Sequence, residues 1–240
     1  MSPRASQRGR GAGRGRTATP SHSLSRSWLI WVVIGAVVVA GIAAIAISAG
    51  GGDEASGAEI ADEVTVEGSD LPPLPDSGDD PAVGEPAPGL EGTSPTGRPE
   101  SYEPGGGEPS VVVILAHWCP HCQAEVPRIV ALADAGGTDG VSVYGITTGT
   151  NSSQDNYPPS EWLGREDWPF PVIADTENQD GARAYGLVSY PFFVFVDGAG
   201  NVAGRLTGEV SEDELAILFD ELRNGDQLSI PSAGGSSPAD

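Results

Sequence analysis

Six consecutive apolar residues, Val111–Ala116 ("VVVILA"), constrain the fold more than any other stretch of the chain. Side chains on a strand alternate between two faces, so a β-branched run with no polar residue reads as a central strand buried on both. Directly after it, Pro120 suits a first helical turn. Cys122, Val126, Ile129, Val130 and Ala133 then recur at helical spacing until Gly136-Gly137 stop the helix. "VSVYGIT" (Val141–Thr147) reads as the next strand, which makes the unit βαβ with a parallel pair.

A longer excursion follows. Ser160 is expected to cap a short helix through "EWLGRED", "FPVIAD" gives a brief strand, and "NQDGARAYG" a helix ended by Gly186. "PFFVFVD" and "VAGRLTG" flank Gly198-Ala199-Gly200 as a hairpin. Ser211-Glu212-Asp213-Glu214 is a capping box for a last helix that carries Leu215, Leu218, Phe219 and Leu222 on one face. The order β-α-β, insertion, α, β-β-α predicts an α/β sandwich with a mixed sheet.

The folding part is shorter than the 240-residue chain, because much of its Gly 34 and Pro 21 lies outside any periodic segment. Charge is divided. The first 27 residues carry Arg4, Arg8, Arg10, Arg14, Arg16 and Arg26 and no acid, whereas every acidic residue follows Gly52. Between them, "WLIWVVIGAVVVAGIAAIAIS" (Trp28–Ser48) holds about 20 uncharged residues, enough for one transmembrane helix. The arginine flank puts residues 1–27 in the cytoplasm and everything after about Gly50 outside. The alternative is a cleaved signal peptide, for which Ala44-Ile45-Ala46 supplies a site, but such apolar regions are usually ~7–15 residues. The basic tail serves orientation and attraction to anionic lipid, and nucleic acid is not an expected partner.

Residues 49–82, acidic and turn-rich with few large apolar side chains, are expected to form a disordered linker, and residues 226–240 a disordered tail. One domain remains, 83–225. The net charge of −22 keeps the exported part soluble.

That domain resembles the thioredoxin fold, and within it the membrane-anchored TlpA/ResA-type thiol-disulfide oxidoreductases. The carrying residues are "VGEPAP" (Val83–Pro88), "WCPHC" (Trp118–Cys122), "EVP" (Glu125–Pro127), "FPVIAD", "YGLVSYP", "DGAGNV" and "GEVSEDEL". The resemblance implies a mixed central sheet flanked by helices, no metal or organic cofactor, and exchange of disulfides with exported proteins. Apocytochrome c, a secreted enzyme or another oxidoreductase would be the partner, together with a membrane redox partner.

Cys119 and Cys122 are the only two cysteines. A cysteine at a helix start meets the positive end of the helix dipole and free backbone N–H groups, which favour thiolate; Cys119 is therefore the expected attacking sulfur. Cys122, one turn in on the apolar face, would resolve the mixed disulfide. Pro120 and His121 tune the pair, since a Pro-His dipeptide here resembles the DsbA-type oxidases, in which a histidine stabilises the neighbouring thiolate. Pro191 matches the proline that is cis in this fold and faces the disulfide, where the backbone before it can pair with a substrate segment. Tyr190 departs from the small or β-branched residue common before it.

Val113 stands where thioredoxin has a buried aspartate. Glu125 matches the active-site glutamate of ResA-type proteins, a candidate proton acceptor for Cys122; a solvated helix glutamate is the plain alternative. Pro127 matches the helix-kinking proline. Trp118 is expected to shield the disulfide edge, Trp162 and Trp168 to pack, and His117 to lie at the surface. Three other classes stay in view: a non-catalytic binding module with a structural disulfide, a copper-delivery protein, and a peroxiredoxin. Copper delivery would need a histidine after His121, and a peroxiredoxin a Ser or Thr where Ala116 stands.

Overall fold

The computed structural model describes residues 59–230, which lie in the second of the chain's two units, Asp53–Asp240. The expected span Trp28–Ser48, the basic tail and residues 231–240 fall outside them. Among the described residues no helix is long and apolar enough to cross a membrane.

The "VVVILA" run forms the middle strand, β4 (Ser110–Leu115), buried along its whole length. It pairs in parallel with β5 (Ser142–Thr147), Ser110 opposite Ser142, and antiparallel with β7 (Phe192–Val196), Val111 opposite Phe195. With β6 (Val172–Ala174) and β8 (Val202–Thr207) the sheet order is β6-β5-β4-β7-β8.

Alternation along β4 divides the core in two. Val111, Val113 and Leu115 face α1 (Pro120–Asp134) and α4 (Glu212–Asn224), packing with Val126, Ile129, Leu218 and Phe219. Val112 and Ile114 face the other way, onto Leu71, Leu90, Tyr102 and Tyr185. Helix α4 begins with the expected box: Glu214 N–H donates to Ser211 Oγ at 3.3 Å, and Ser211 N–H donates to Glu214 Oε2 at 3.1 Å. Gly225, left-handed at φ 71°, closes it.

The second face corrects the linker expectation. From residue 59 the acidic stretch is packed, with Ala61, Val64, Leu71 and Ala82 all buried. β1 (Thr65–Glu67), β2 (Gly89–Thr93) and β3 (Pro99–Tyr102) form an antiparallel meander over that side, next to α3 (Asp180–Ala184). Isolated apolar side chains, each reaching a distant partner, order this segment without any local periodicity. A buried cation pins it as well. Arg205 on β8 donates to both carboxylate oxygens of Asp80 and, at 2.8 Å each, to the carbonyls of Pro72 and Tyr185. Gly186 makes that approach feasible: its φ is +72°, and a Cβ there would lie 2.2 Å from Pro72 O.

The domain also continues past 225. Leu228 and Ile230 pack against the helical-face core, and Ser229 bonds Glu221. Ser160 does not cap. It lies inside α2 (Pro159–Arg165), where its N–H donates to Glu59 Oε2 at 3.0 Å, so a residue from the expected linker serves the helix start.

Candidate active site

The chain leaves β4 at Leu115 and enters α1 at Pro120, so Cys119 becomes the helix N-cap at the carboxyl end of the central strand. Its N–H donates to Ala116 O at 3.0 Å, and its carbonyl accepts the Gln123 N–H at 3.1 Å. Pro120 takes the first helical position, where a missing N–H costs nothing. Both cysteines are free thiols. Cys122 is 0% exposed, and Ala116 N–H donates to its Sγ at 3.4 Å. Burial pushes its thiol well up. Cys119, the expected attacking sulfur, is only 6% exposed, nearly covered yet the more accessible of the two.

Tyr190 O lies 3.9 Å from Cys119 Sγ, and the Tyr190–Pro191 bond is cis, as is Tyr157–Pro158. Trp118 meets Tyr190 edge-on, ring centroids 5.8 Å apart at 84°, and donates from Nε1 to Gly149 O at 2.8 Å. Tyr190 is further held by a long 3.5 Å bond from its hydroxyl to Gln179. The structure thus brings Trp118, Cys119, Cys122, Tyr190 and Pro191 together. Val113 is fully buried on the same face of the sheet as Cys122 and supplies no acid there.

Glu125 is not a solvated helix residue. It is 0% exposed, on the same face of α1 as Cys122. Its Oε2 accepts from Val210 N–H and Arg128 Nη1, both at 3.0 Å, while Oε1 has no partner among the described residues. Burial pushes the carboxyl up to about 7, against the pull of those two bonds. Arg128 and Glu209 went unrecognised in the sequence, where nothing but the spacing of Arg128 from Glu125 hinted at the pair.

His121 is exposed, and its Nδ1 sits 2.7 Å from Glu209 Oε1; it makes no hydrogen bond to either cysteine. His117 is buried rather than superficial. Its Nε2 accepts the Asn151 N–H at 3.1 Å, which leaves Nδ1 to donate to Asp155 O at 2.7 Å. The ring is held as a strut between the end of β4 and the loop after β5. Trp162 is buried, and Trp168 packs edge-on against Phe170. Among the described residues no three His, Cys, Asp or Glu side chains converge on a metal-binding point.

A mixed five-stranded sheet whose central strand delivers Cys-x-x-Cys to a helix start, opposite a cis-proline, defines a thioredoxin-superfamily domain. Residues 83–205 match the AhpC/TSA family, and the chain belongs to it, as a protein of the TlpA/ResA type. It is 31% identical over 122 residues to the thiol:disulfide interchange protein DsbE of Pseudomonas fluorescens, a match covering 48% of this chain and 63% of that protein. It is 30% identical to the soluble secreted antigen MPT53 of Mycobacterium bovis, over 46% of this chain and 61% of that one. The chain thus spans less than two thirds of the length of these relatives. A solved thiol:disulfide interchange protein of the thioredoxin family from Chlorobium tepidum has the same fold, with TM-score 0.50 and 23% identity over 61% of this chain and 99% of its own.

Proposed function

We propose that this protein is a thiol-disulfide oxidoreductase acting outside the cytoplasmic membrane, to which residues 28–48 anchor it. The placement of two free thiols, one at the N-cap of α1 and one sealed a turn further in, carries this reading.

Reduction of a disulfide proceeds in two exchanges. Cys119 attacks one sulfur of the substrate disulfide and releases the other as a thiolate, forming a mixed disulfide. Cys122 loses its proton, attacks Cys119 Sγ, and expels the second substrate thiolate. Two electrons pass to the substrate, and the Cys119–Cys122 disulfide is left behind. Oxidation is the same path in reverse. The Cys122 thiol needs a proton acceptor because burial holds its proton on, and Glu125, buried beside it with an unpartnered oxygen, is that acceptor. Trp118 and the Tyr190 carbonyl flank Cys119, where an extended exported polypeptide docks. The names of the curated relatives, thiol:disulfide interchange protein and secreted antigen, support both the chemistry and the compartment.

The reduced full-length protein, mixed with a disulfide-bonded peptide, should convert one peptide disulfide per Cys119–Cys122 disulfide formed, and Cys119→Ala should convert none. An unchanged peptide would point instead to a non-catalytic binding module. Redox titration then fixes direction: a potential near ~−270 mV or lower marks a reductase, one near ~−120 mV an oxidase. Anchoring is checked by cell fractionation, where a soluble form starting near Ile47 would overturn it.

A further inference from the structure

Four ionisable side chains form one continuous chain of contacts from solvent to the buried Glu125, and the reaction above uses only the last of them. Exposed His121 Nδ1 contacts Glu209 Oε1 at 2.7 Å. Glu209 Oε2 accepts from Arg128 Nη1 at 2.8 Å. The same Nη1 donates to Glu125 Oε2 at 3.0 Å and leans on Val210 O at 3.5 Å. One guanidinium is therefore shared between two carboxylates, one exposed at the segment before α4 and one buried in α1.

The charges are unequal. Two carboxylates and one guanidinium leave a single negative charge, so the cluster is neutral when it holds one proton, either on Glu125 or on His121. Hydrogen bonds from His121 and Arg128 hold Glu209 below the ordinary glutamate range, so it stays ionised and does not take that proton itself. The ionisable groups facing Glu125 are Cys122 and Arg128 from α1 and Glu209 from the segment before α4, and His121 reaches it through Glu209 and Arg128. Glu212, Asp213 and Glu214 at the start of α4 are exposed to water.

We propose that Arg128 and Glu209 are positioning residues that make Glu125 and His121 share one proton, so that the motif histidine at the surface sets when the buried glutamate can accept from Cys122. This rests on the exchange reaction proposed above. Positive charge on His121 favours the ionised Glu125, and its absence favours the protonated one. A substrate segment that favours the charged imidazole would thereby prepare the resolving step.

The test follows the Glu125 carboxyl itself, by carbon-13 titration of side-chain-labelled glutamates in the reduced full-length protein, assigned with Glu125→Gln. Arg128→Gln removes the shared cation and should raise the Glu125 midpoint by about 1 pH unit or more, with Arg128→Lys restoring most of it. Glu209→Gln keeps the acceptor for Arg128 but loses the charge, and should lower the midpoint by about half a unit. His121→Gln should turn a curve broadened by coupling into a single-site one. The pH profile of resolution, measured on a preformed mixed disulfide at Cys119, should move with each midpoint. Midpoints that stay together or move in the same direction would overturn the proposal, as would a resolution profile that ignores them. If the wild-type protein exchanges no disulfide, the catalytic reading fails, while the carbon-13 midpoints still decide the coupling.

Discussion

The two faces of the central sheet are covered by different kinds of chain. On one, α1 and α4 present regular apolar stripes, Val126 and Ile129 from one helix and Leu215, Leu218 and Phe219 from the other. On the other lie a short meander and irregular segments, each contributing a residue or two, such as Ala61, Val64, Leu71, Leu90 and Tyr102. The helical face carries both cysteines, Glu125 and the ion pairs that reach it. The meander face carries no candidate site residue of that set and is fixed by buried polar anchors: Arg205 to Asp80, Tyr185 Oη to Pro88 O at 2.7 Å, and Tyr102 Oη to Ser110 Oγ at 2.8 Å. One face carries the candidate site, and the other covers the back of the sheet.

Removing the second cover should have the largest effect. A chain starting at residue 83 loses Ala61, Val64, Leu71 and the Asp80 partner of Arg205, and exposes the apolar backs of β4 and β7. It should fail to fold cooperatively, as judged by chemical denaturation against a chain starting near residue 53. Equal stability would mean that the segment is decoration. Arg205→Met is the point version. It leaves Asp80 and two carbonyls without their donor and should cost about 3–5 kcal/mol, while adding Asp80→Leu should recover part of the loss.

On the helical face the expected cost depends on pH. Glu125 titrates at about 7 in the fold, against an ordinary value of 4.5. Between those values the folded protein holds a proton that the unfolded chain has lost, so stability is highest at acid pH and falls as pH rises toward 7. The loss should total roughly 3 kcal/mol, and Glu125→Gln should flatten that slope. Urea denaturation at pH 4.5 and pH 7.5 reads both. The smallest effect belongs to the α4 cap: Ser211→Ala removes the hydroxyl that accepts the Glu214 N–H and should cost about 1 kcal/mol in thermal unfolding, with no change in thiol exchange.

The same contrast explains what could be read from the sequence. The helical face follows periodic rules: a continuous apolar strand, a helix opened by Pro120 and stopped at Gly136, and a capping box at Ser211. All of these form as expected. The meander face breaks them. Residues 59–82 are acidic and poor in apolar side chains, and their order comes from strand pairing with β2 and from partners more than a hundred residues away, such as Asp175, Ala184 and Arg205, which no local pattern encodes. One signal was available: an arginine inside the apolar strand "VAGRLTG" must be buried or at an edge, and a buried cation requires an acid from elsewhere. In the site, Cys119 and Cys122 were legible from their place at a helix start, and Pro191 and Glu125 from the resemblance to the TlpA/ResA-type proteins. The burial of His117 and the bridge from His121 through Glu209 to Arg128 were not, because each depends on a loop folding back onto α1 or the end of β4.

The central claim is that the helical face divides labour between two sulfurs, Cys119 attacking and Cys122 resolving. Both are nearly covered, so the claim rests on Cys119 standing at the N-cap beside Tyr190 O while Cys122 is sealed in the core. Trapping in intact cells measures this most directly. The full-length Cys122→Ser protein should accumulate mixed disulfides with exported proteins, seen as reducible high-mass bands, because the complex on Cys119 has lost its resolving thiol. The Cys119→Ser protein should trap almost nothing. Equal trapping by the two variants, or faster alkylation of Cys122 than of Cys119 in the reduced protein at neutral pH, would contradict the assignment.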